Sequence, residues 1–295
     1  MAATPPDPQI AAAWHDHHRA LLDVAYRMLG SISEAEDAVQ DAFIRLMRTG
    51  TEEVDNLRGW LVVTVSRICV DRLRSAQARR TSYIGPWLPE PIVSTSDGDV
   101  ADPADRITLD DSVRMALLVV LERLTPAERV AFVLHDVFDL PFDDVAQVVG
   151  RSPAAARQLA SRARRRVREH GEAARATAVA PASQEAVVER FLAAANGGDI
   201  AALTELLGDD VVLRADGGGV VQAPRRPVTG RDRIAKLIAT GVGRVPGLRL
   251  VPAAVNGAPG AVALEDGRVI GVMAFTLERD RIRAIDAVAN PDKLP

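Results

Sequence analysis

Apolar residues recur at helical spacing between residues 10 and 76, with few glycines or prolines among them. In residues 33–47 one helix face is apolar almost without a break, and the opposite face carries acids. Residues 56–75 repeat the pattern, with Trp60 on the apolar stripe and arginines on the other side. We expect Trp60 to be a core residue rather than one that stacks on a base. The pattern predicts a helical domain over residues 8–77.

Two connectors and a second helical segment follow. Prolines, glycines and aspartates interrupt the helical spacing in residues 78–108, which predicts an extended linker. Helical periodicity returns over residues 109–170 and predicts a second helical domain. The run GEAARATAVAPASQ then predicts another connector over residues 171–183.

The periodicity changes from helical to strand spacing in the last third of the chain. Two helices, residues 185–195 and 200–207, precede short β-rich runs that are separated by turn signals such as Asp266-Gly267. The runs are VVLRA, GVVQA, LRLVPAAV, AVALED, RVIGVMAFTLE and RIRAIDAV. They predict an α+β domain over residues 184–295 with a curved, mainly antiparallel sheet. The predicted fold class is therefore multidomain, with two all-α domains followed by an α+β domain.

Composition and charge narrow the class of protein. The 295 residues are too many for one small core. Apolar runs fall far short of the ~20 residues that a membrane-spanning helix needs, and the N-terminus lacks a basic segment followed by an apolar one. A single cysteine, Cys69, excludes an internal disulfide. We expect a soluble, cytoplasmic protein with no membrane partner; the net charge of −4 neither favours nor opposes a nucleic-acid partner.

The strongest local signal is a helix-turn-helix pattern in residues 124–169. Thr125 and Glu128 frame a proline in a capping-box arrangement, which predicts the start of a helix. A second short helix ends at Gly150, where a tight turn needs positive φ. Ser152, followed by proline, predicts the start of the third helix.

The third helix of this pattern has a strongly cationic face. No acid lies between Asp144 and Glu169, and six arginines lie between Arg157 and Arg168. Such a helix suits the major groove of DNA, with early side chains on base edges and later arginines on phosphates. A solvated basic helix in an arginine-rich chain is the alternative, but the preceding turn favours DNA contact. The candidate DNA-binding residues are Arg157, Gln158, Ser161, Arg162 and Arg165.

Two further candidate surfaces lie on the polar faces of the N-terminal helices. Acids are also common on a solvated face near a helix N-terminus. The residues alone therefore do not decide between a binding surface and an ordinary solvated face. The acidic face carries Asp37, Gln40, Asp41 and Ile44, and the basic face of the next helix carries Arg58, Arg67, Arg72 and Arg74.

The sequences EAEDAVQDAFIRL and NLRGWLVVTVSRICVDRLRSA, together with the helix-turn-helix, resemble regions two and four of extracytoplasmic-function sigma factors. The resemblance implies two partners, core RNA polymerase and promoter DNA. The first domain would dock its acidic helix on the polymerase clamp through Asp37, Gln40, Asp41 and Ile44. It would help to melt the −10 element, where the contacts would come from Arg58, Arg67, Arg72 and Arg74. The cationic third helix would read the −35 element.

Three further motifs resemble a narrower group. WLPEP (87–91), DGGG (216–219) and NPDKL (290–294) are similar to motifs of the sigma-J-like group, whose C-terminal extension is a SnoaL-like domain. The resemblance implies that this domain contacts the sigma core and regulates it in cis. The implied contact residues are Trp87, Leu88, Pro89, Asp216, Gly217, Gly218, Gly219, Asn290, Pro291 and Asp292. This chain has Val220 where the group usually has a lysine after DGGG, which puts any polar contact of that lysine in doubt.

Enzymes with a SnoaL-like fold use an Asp or His inside the cone as general base. No histidine follows Gln184, and Asp216 opens a glycine-rich turn, so we expect Asp216 to be a turn residue. Asp286 is another acid candidate. The histidines of the HDHH cluster at residues 15–18 cannot all face one ion on a regular helix. We therefore expect no catalysis, no cofactor and no metal site.

The favoured function is a sigma factor that binds core RNA polymerase and directs promoter-specific initiation, modulated in cis by its SnoaL-like domain. One alternative is a transcription regulator that senses an unidentified small ligand in the cone and binds DNA without polymerase. The other is an isomerase-like or cyclase-like enzyme with a DNA-binding appendage, which would need a base whose replacement abolishes turnover.

Overall fold

The computed structural model describes residues 8–80, 83–94, 107–108, 113–170 and 181–295. These residues form two compact units. The first unit is helical and contains residues 8–79, 107–108 and 121–166. The second unit is α+β and includes residues 83–94, 113–120 and 181–295. In the described part of the chain, no helix is both long enough and apolar enough to cross a membrane.

Three helices form the N-terminal part of the first unit: α1 (Pro8–Leu29), α2 (Ile32–Thr49) and α3 (Leu57–Arg80), with a 3-10 turn (Thr51–Glu53) before α3. The α2 helix begins where the Ser31 hydroxyl accepts the Glu34 backbone N–H at 3.3 Å, and it ends at Gly50, whose φ is 86°. The predicted helices over residues 33–47 and 56–75 are confirmed. The predicted apolar face of α2 is buried: Ala35, Ala38, Val39, Ala42, Phe43 and Leu46.

Four helices follow: α4 (Met115–Leu121), α5 (Pro126–Phe132), α6 (Phe142–Val149) and α7 (Pro153–His170), with a π-helical turn (Val133–Val137) after α5. The predicted capping box is confirmed. The Thr125 hydroxyl accepts the Glu128 N–H at 3.4 Å, and the Glu128 carboxylate accepts the Thr125 N–H at 3.1 Å. Gly150 closes α6 with a φ of 67°, and the Ser152 hydroxyl accepts the Ala155 N–H at 3.3 Å. The α6–turn–α7 segment is thus a helix-turn-helix.

Two buried arginines tie the first unit together. The Arg27 guanidinium donates to the Asp23 and Thr108 carbonyls, each at 3.0 Å, and the Asp23 carboxylate accepts the Thr108 N–H at 2.7 Å. Arg129 donates to the Arg27 carbonyl at 3.3 Å and pairs with Glu122. These bonds compensate the loss of hydration of the buried charges, and they fix a short stretch of the linker against α1.

The second unit contains one sheet of seven strands in the order β1-β4-β5-β6-β7-β2-β3. The strands are β1 (Val93–Ser94), β2 (Leu207–Asp216), β3 (Val228–Thr229), β4 (Arg249–Val255), β5 (Ala258–Glu265), β6 (Arg268–Glu278) and β7 (Arg281–Val288). Neighbouring strands are antiparallel except β2 and β7, so the predicted mainly antiparallel sheet is confirmed. The first strand, β1, comes from the linker and pairs with β4.

Side chains from the two faces of the sheet enter two different cores. Three helices, α8 (Pro181–Gly197), α9 (Ile200–Leu206) and α10 (Arg231–Arg244), contribute to the larger core, where the Phe191 and Phe275 rings meet edge to face with centroids 5.0 Å apart. Ala274, the neighbour of Phe275 on β6, belongs to the smaller core instead, as alternation along a strand requires. The smaller core includes Leu88 of the linker and Met115 of α4. Residues 83–94 of the linker are therefore part of this folded unit.

Two sequence-based expectations for this unit differ from the structure. The run GVVQA forms a turn instead of a strand, because the backbone N–H groups of Val220 and Val221 donate to the Gly217 carbonyl at 3.1 and 2.9 Å. Val220 is 77% exposed, so its apolar character does not mark a core position. The α10 helix was not predicted, although Ile234 and Ile238 are buried at helical spacing. Two glycines close to its C-terminal end obscure the helical signal.

Candidate functional site

A buried carboxylate at the end of β2 collects hydrogen bonds from the linker and from the C-terminus. Asp216 is fully buried, and its side chain accepts bonds from the Tyr83 hydroxyl at 2.5 Å and the Leu88 N–H at 2.9 Å. It also accepts the Gly218 N–H at 3.0 Å and the Lys293 ammonium at 2.8 Å. Asp216 is thus more than the turn residue expected from sequence: four donors, one of them the Lys293 ammonium, compensate its burial.

Lys293 joins the motif at residues 290–294 to the linker. Its ammonium donates to the Leu88 carbonyl at 2.6 Å and lies 3.9 Å from the centroid of the Trp87 ring, a cation–π contact. The Asn290 amide donates to the Tyr83 hydroxyl at 3.2 Å. The three motifs singled out in the sequence therefore meet in one cluster, which we call the linker clamp: residues 83–88, 216–218 and 290–293. Pro89 is buried next to it, whereas Pro291 and Asp292 are exposed.

The glycines after Asp216 are required by close approach within the linker clamp. Gly218 has a φ of 66°, and a Cβ atom there would lie 2.5 Å from the Asn290 side chain. A Cβ atom on Gly217 would collide with the Val221 carbonyl oxygen, and Gly219 lies against Ile84. Gly217 and Gly218 therefore admit no side chain without displacement of their neighbours.

The sequence did not identify two residues that anchor the linker, Tyr83 in the linker clamp and Asn256 outside it. Nothing in the local pattern marks Tyr83, whose half-buried phenol donates to Asp216. Burial raises the pKa of the Tyr83 phenol above its ordinary value, and the hydrogen bond and negative charge of Asp216 raise that pKa further. Asn256 is a second linker anchor: its side chain accepts the Ile92 N–H at 3.2 Å and donates to the Val113 carbonyl at 2.9 Å. In the sequence, the Asn256-Gly257 pair indicates only a turn between two strands.

The second acid candidate in the domain, Asp286, is already bound. Both of its carboxylate oxygens accept from the Arg214 guanidinium, at 2.5 and 3.0 Å, across the paired strands β2 and β7. Burial opposes the charge on Arg214, but the adjacent carboxylate raises the pKa of the guanidinium above its ordinary value. Both carboxylate oxygens are thus engaged by the guanidinium, which leaves Asp286 poorly suited to accept a proton from a substrate.

The α7 helix displays its predicted polar face to solvent. Arg157, Gln158 and Ser161 are exposed, and the Arg157 guanidinium lies over the Phe142 ring. Later arginines differ, because Arg162 and Arg166 both pair with the buried carboxylate of Glu128, at 3.3 and 2.7 Å. Arg164 pairs with Asp136 at 2.5 Å, and Arg165 is exposed. The first turns of α7 therefore carry the side chains with the most freedom to reach a partner.

The acidic face of α2 combines exposed acids with exposed apolar side chains. The side chains of Asp37 and Asp41 are 68% and 49% exposed, Gln40 is exposed, and Ile44 is 40% exposed. Arg72 of α3 lies against this face: it donates to Asp41 at 2.7 Å and to the Glu34 carbonyl at 2.8 Å. Arg72 thus connects α2 to α3 and is less available for DNA than the sequence suggests.

The other basic residues of α3 lie on different surfaces. Arg58, Arg67 and Trp60 line a cavity of about 540 Å³ within the first unit, and Arg67 donates to the Gln147 carbonyl at 3.1 Å. Trp60, expected in the core, is only half-buried. Arg74 is exposed and pairs loosely with Asp71 at 3.6 Å.

The HDHH segment lies on α1, where the His18 ring stacks on Trp14 with centroids 4.2 Å apart. Across the described ranges, no three His, Cys, Asp or Glu side chains are grouped in a way that could hold a metal ion.

Three family models match the chain: Sigma-70 region 2 over residues 13–79, Sigma-70 region 4 over residues 114–167, and a SnoaL-like domain over residues 188–290. The chain is 41% identical over 290 residues to the probable ECF RNA polymerase sigma factor SigI of Mycobacterium tuberculosis, covering 97% of this chain and 94% of SigI. The chain belongs to the extracytoplasmic-function sigma factors. The family and the fold class expected from the sequence are confirmed.

A second relative adds a solved structure to this assignment. The sigma factor is 41% identical over 283 residues to the ECF RNA polymerase sigma factor SigJ of Mycobacterium tuberculosis, covering 92% of this chain and 89% of SigJ. The crystal structure of SigJ matches with a TM-score of 0.77 at 36% identity, covering 96% of this chain and 97% of that chain. The likeness therefore spans both sigma regions and the SnoaL-like domain.

Proposed function

We propose that the SnoaL-like domain of this sigma factor controls promoter-specific initiation in cis, by holding the linker between regions two and four. The observation that carries the proposal is the buried Asp216 carboxylate, which accepts bonds from Tyr83 and Leu88 of the linker. A carboxylate that loses such donors in the interior remains desolvated and unpaired, which is costly. Release of the linker therefore requires rearrangement of the whole linker clamp.

The linker is the element through which such control acts. As an extracytoplasmic-function sigma factor, the chain binds core RNA polymerase and promoter DNA, and the linker joins the two regions that contact them. A linker folded onto the SnoaL-like domain spans a shorter and more fixed distance than a free one. Because the domain is covalently attached, its effective concentration is on the order of millimolar, enough to bias the two forms without a separate inhibitor.

The exposed surfaces of the two sigma regions have separate proposed roles in binding the polymerase, the −35 element and the −10 element. The acidic face of α2, with Asp37, Gln40, Asp41 and Ile44, docks on the polymerase. The exposed start of α7, Arg157, Gln158 and Ser161, contacts base edges of the −35 element, and Arg162 and Arg165 contact phosphates. Arg58, Arg67 and Arg74 contact the −10 element, while Arg72 mainly connects α2 to α3. Support for these roles comes from exposure and charge.

The SnoaL-like domain acts without catalysis in this proposal. A general base needs a lone pair within reach of a substrate proton. Asp286 is held by two bonds from Arg214, and Asp216 is occupied by the linker and Lys293. The two acids that the sequence offers as bases thus have structural partners.

The test is run-off transcription with purified core RNA polymerase on a promoter selected from genomic fragments. The full chain is compared with Asp216→Asn, which keeps the shape of the side chain but removes its charge, and with Asp280→Asn as a control on an exposed turn. We expect Asp216→Asn to change the transcript yield severalfold and the control to leave it unchanged. A higher yield from Asp216→Asn would mean that the linker clamp inhibits initiation, and a lower yield that it activates initiation. Equal yields from all three proteins would contradict regulation through the linker clamp.

A further inference from the structure

The Phe142 ring, at the first position of α6, contacts side chains from two other parts of the helix-turn-helix. The Arg157 guanidinium carbon lies 5.4 Å from the centroid of this ring, and the His135 ring centroid lies 3.8 Å from it with a 32° tilt. Phe142 is half-buried, whereas Arg157 is exposed. The ring therefore lies between the half-buried His135 and the exposed Arg157.

The His135 side of this arrangement is fixed by the backbone. Nδ1 of His135 lies 2.9 Å from the Leu140 carbonyl oxygen, and because that oxygen can only accept, Nδ1 carries the proton. His135 lies in the π-helical turn Val133–Val137, and the residue two positions after that turn, Asp139, has a φ of 53°. Such turns occur frequently at functional sites. Phe142 thus packs against the His135 ring, whose orientation is fixed by its hydrogen bond to the Leu140 carbonyl.

Arg157 differs from the later arginines of α7 in its partner. Arg162 and Arg166 pair with Glu128, and Arg164 pairs with Asp136, so carboxylates occupy part of their donor edges. An aromatic ring attracts the guanidinium through its face and leaves the N–H edges available. Those edges are the groups that form a bidentate pair with O6 and N7 of guanine in the major groove. The contact orients Arg157 without consuming the donors that would read a base.

We propose that Phe142 is a positioning residue for −35 recognition, which holds the Arg157 guanidinium in the orientation that reads a base pair. The inference deepens the proposed role of α7 and rests on it. A leucine at position 142 would keep most of the apolar volume but offer no ring face, and a tyrosine would keep the ring. The role of Phe142 is therefore separable from simple packing.

The experiment uses holoenzyme made from the full chain and core RNA polymerase, and a promoter pool with randomised base pairs in the −35 element. Transcripts are sequenced, and the preference at each position is the ratio of enriched bases. We expect Arg157→Ala to abolish the preference at one or two positions. Arg168→Ala should lower total transcription while leaving the preferences unchanged, because a phosphate contact acts uniformly across sequences.

Phe142 variants are measured in the same pool. We expect Phe142→Leu to weaken the preference at the Arg157 positions by about two- to fivefold, the scale of an exposed cation–π contact, and Phe142→Tyr to retain it. In the Arg157→Ala background, Phe142→Leu should have no further effect on preference. The readout is a ratio within each pool, so partial loss of folding does not change it.

Each outcome separates the positioning role from the proposed function. If Arg157→Ala leaves every preference unchanged, both the base-reading role of Arg157 and the positioning role of Phe142 fail. If Arg157→Ala changes the preference but Phe142→Leu does not, the positioning role alone is overturned. The same holds if Phe142→Leu changes preferences equally with and without Arg157.

Discussion

Gly218 lies so close to Asn290 that a Cβ atom on the glycine would come within 2.5 Å of the Asn290 side chain. The two residues belong to different motifs, and their contact brings the C-terminal residues against the end of β2. Gly198 offers a matched comparison, because its φ of 67° equals that of Gly218 within a degree, and a Cβ atom there would meet nothing within 4 Å.

Gly218→Ala should therefore lower the free energy of unfolding more than Gly198→Ala. The left-handed backbone costs an alanine about 1 kcal/mol at either position. At Gly218, displacement of Asn290 adds about 2 kcal/mol. Denaturant unfolding of the full chain, followed by circular dichroism, measures the difference. Equal losses of stability in the two variants would show that Gly218 is needed only for its backbone conformation and not for its close approach to Asn290.

The two lysines of the chain give a second matched pair. Lys293→Met removes the ammonium from the buried Asp216 carboxylate, and breaking such a pair costs about 3 kcal/mol. Lys236 is exposed on α10, so Lys236→Met should change stability by less than about 0.5 kcal/mol. Thermal unfolding of both variants beside the unchanged protein tests this. A small effect of Lys293→Met would mean that Asp216 keeps enough donors from Tyr83, Leu88 and Gly218.

The Tyr83 phenol predicts a loss of stability in alkali. Its pKa is raised in the folded state, first by burial and then by Asp216, so the folded chain retains the proton where the unfolded chain releases it. The stabilising contribution is present below the ordinary tyrosine pKa of about 10 and is lost as the pH rises above it. The stability gap between the protein and Tyr83→Phe should therefore narrow above pH ~10 in denaturant titrations. A gap that stays constant with pH would contradict the buried bond to Asp216.

The acidic face of α2 predicts different outcomes for its two aspartates. Asp37→Arg should weaken core-polymerase binding about tenfold, because it reverses a charge at a proposed docking position. It should barely change the thermal midpoint, because the Asp37 side chain is 68% exposed and its ion pair with Arg72 is long, at 3.7 Å. Asp41→Arg should weaken binding and also lower stability by up to about 1 kcal/mol, because Asp41 pairs with Arg72. Titration of labelled variants with core enzyme gives the affinities. Glu189→Arg, an exposed site on α8, is the control, and binding equal to that control would contradict the docking role.

The helix-turn-helix could be predicted from sequence because its signals act locally. Thr125 and Glu128 bond to each other three residues apart, and Gly150 needs only its own backbone conformation. Asp216 is different: its partners Tyr83 and Leu88 are 133 and 128 positions away, and no local pattern encodes such distances. The sequence predicted a turn there, and the bond to the Gly218 N–H makes that turn, but the other donors come from tertiary structure.

The same distinction explains the other differences. GVVQA has the apolar content of a strand, but within the described part of the chain no strand pairs with it. The N–H groups of Val220 and Val221 donate to the Gly217 carbonyl instead. Arg72 has the charge of a DNA contact, but Asp41 and the Glu34 carbonyl lie within hydrogen-bond reach. The sequence shows which groups can form hydrogen bonds, whereas the tertiary structure determines which partners lie within reach of them.

The short strand β1 has a consequence for handling the C-terminal domain on its own. In the intact chain, Val93 and Ser94 pair with Val255 and Ala254 and cover part of the outer edge of β4. A fragment that starts at residue 184 would leave the whole of that edge with unpaired N–H and C=O groups, a template for strands of other molecules. Pairing of the linker strand β1 with β4 therefore protects this sheet edge from self-association. Fragments that retain residues 83–94 should stay monomeric at concentrations where fragments without them aggregate.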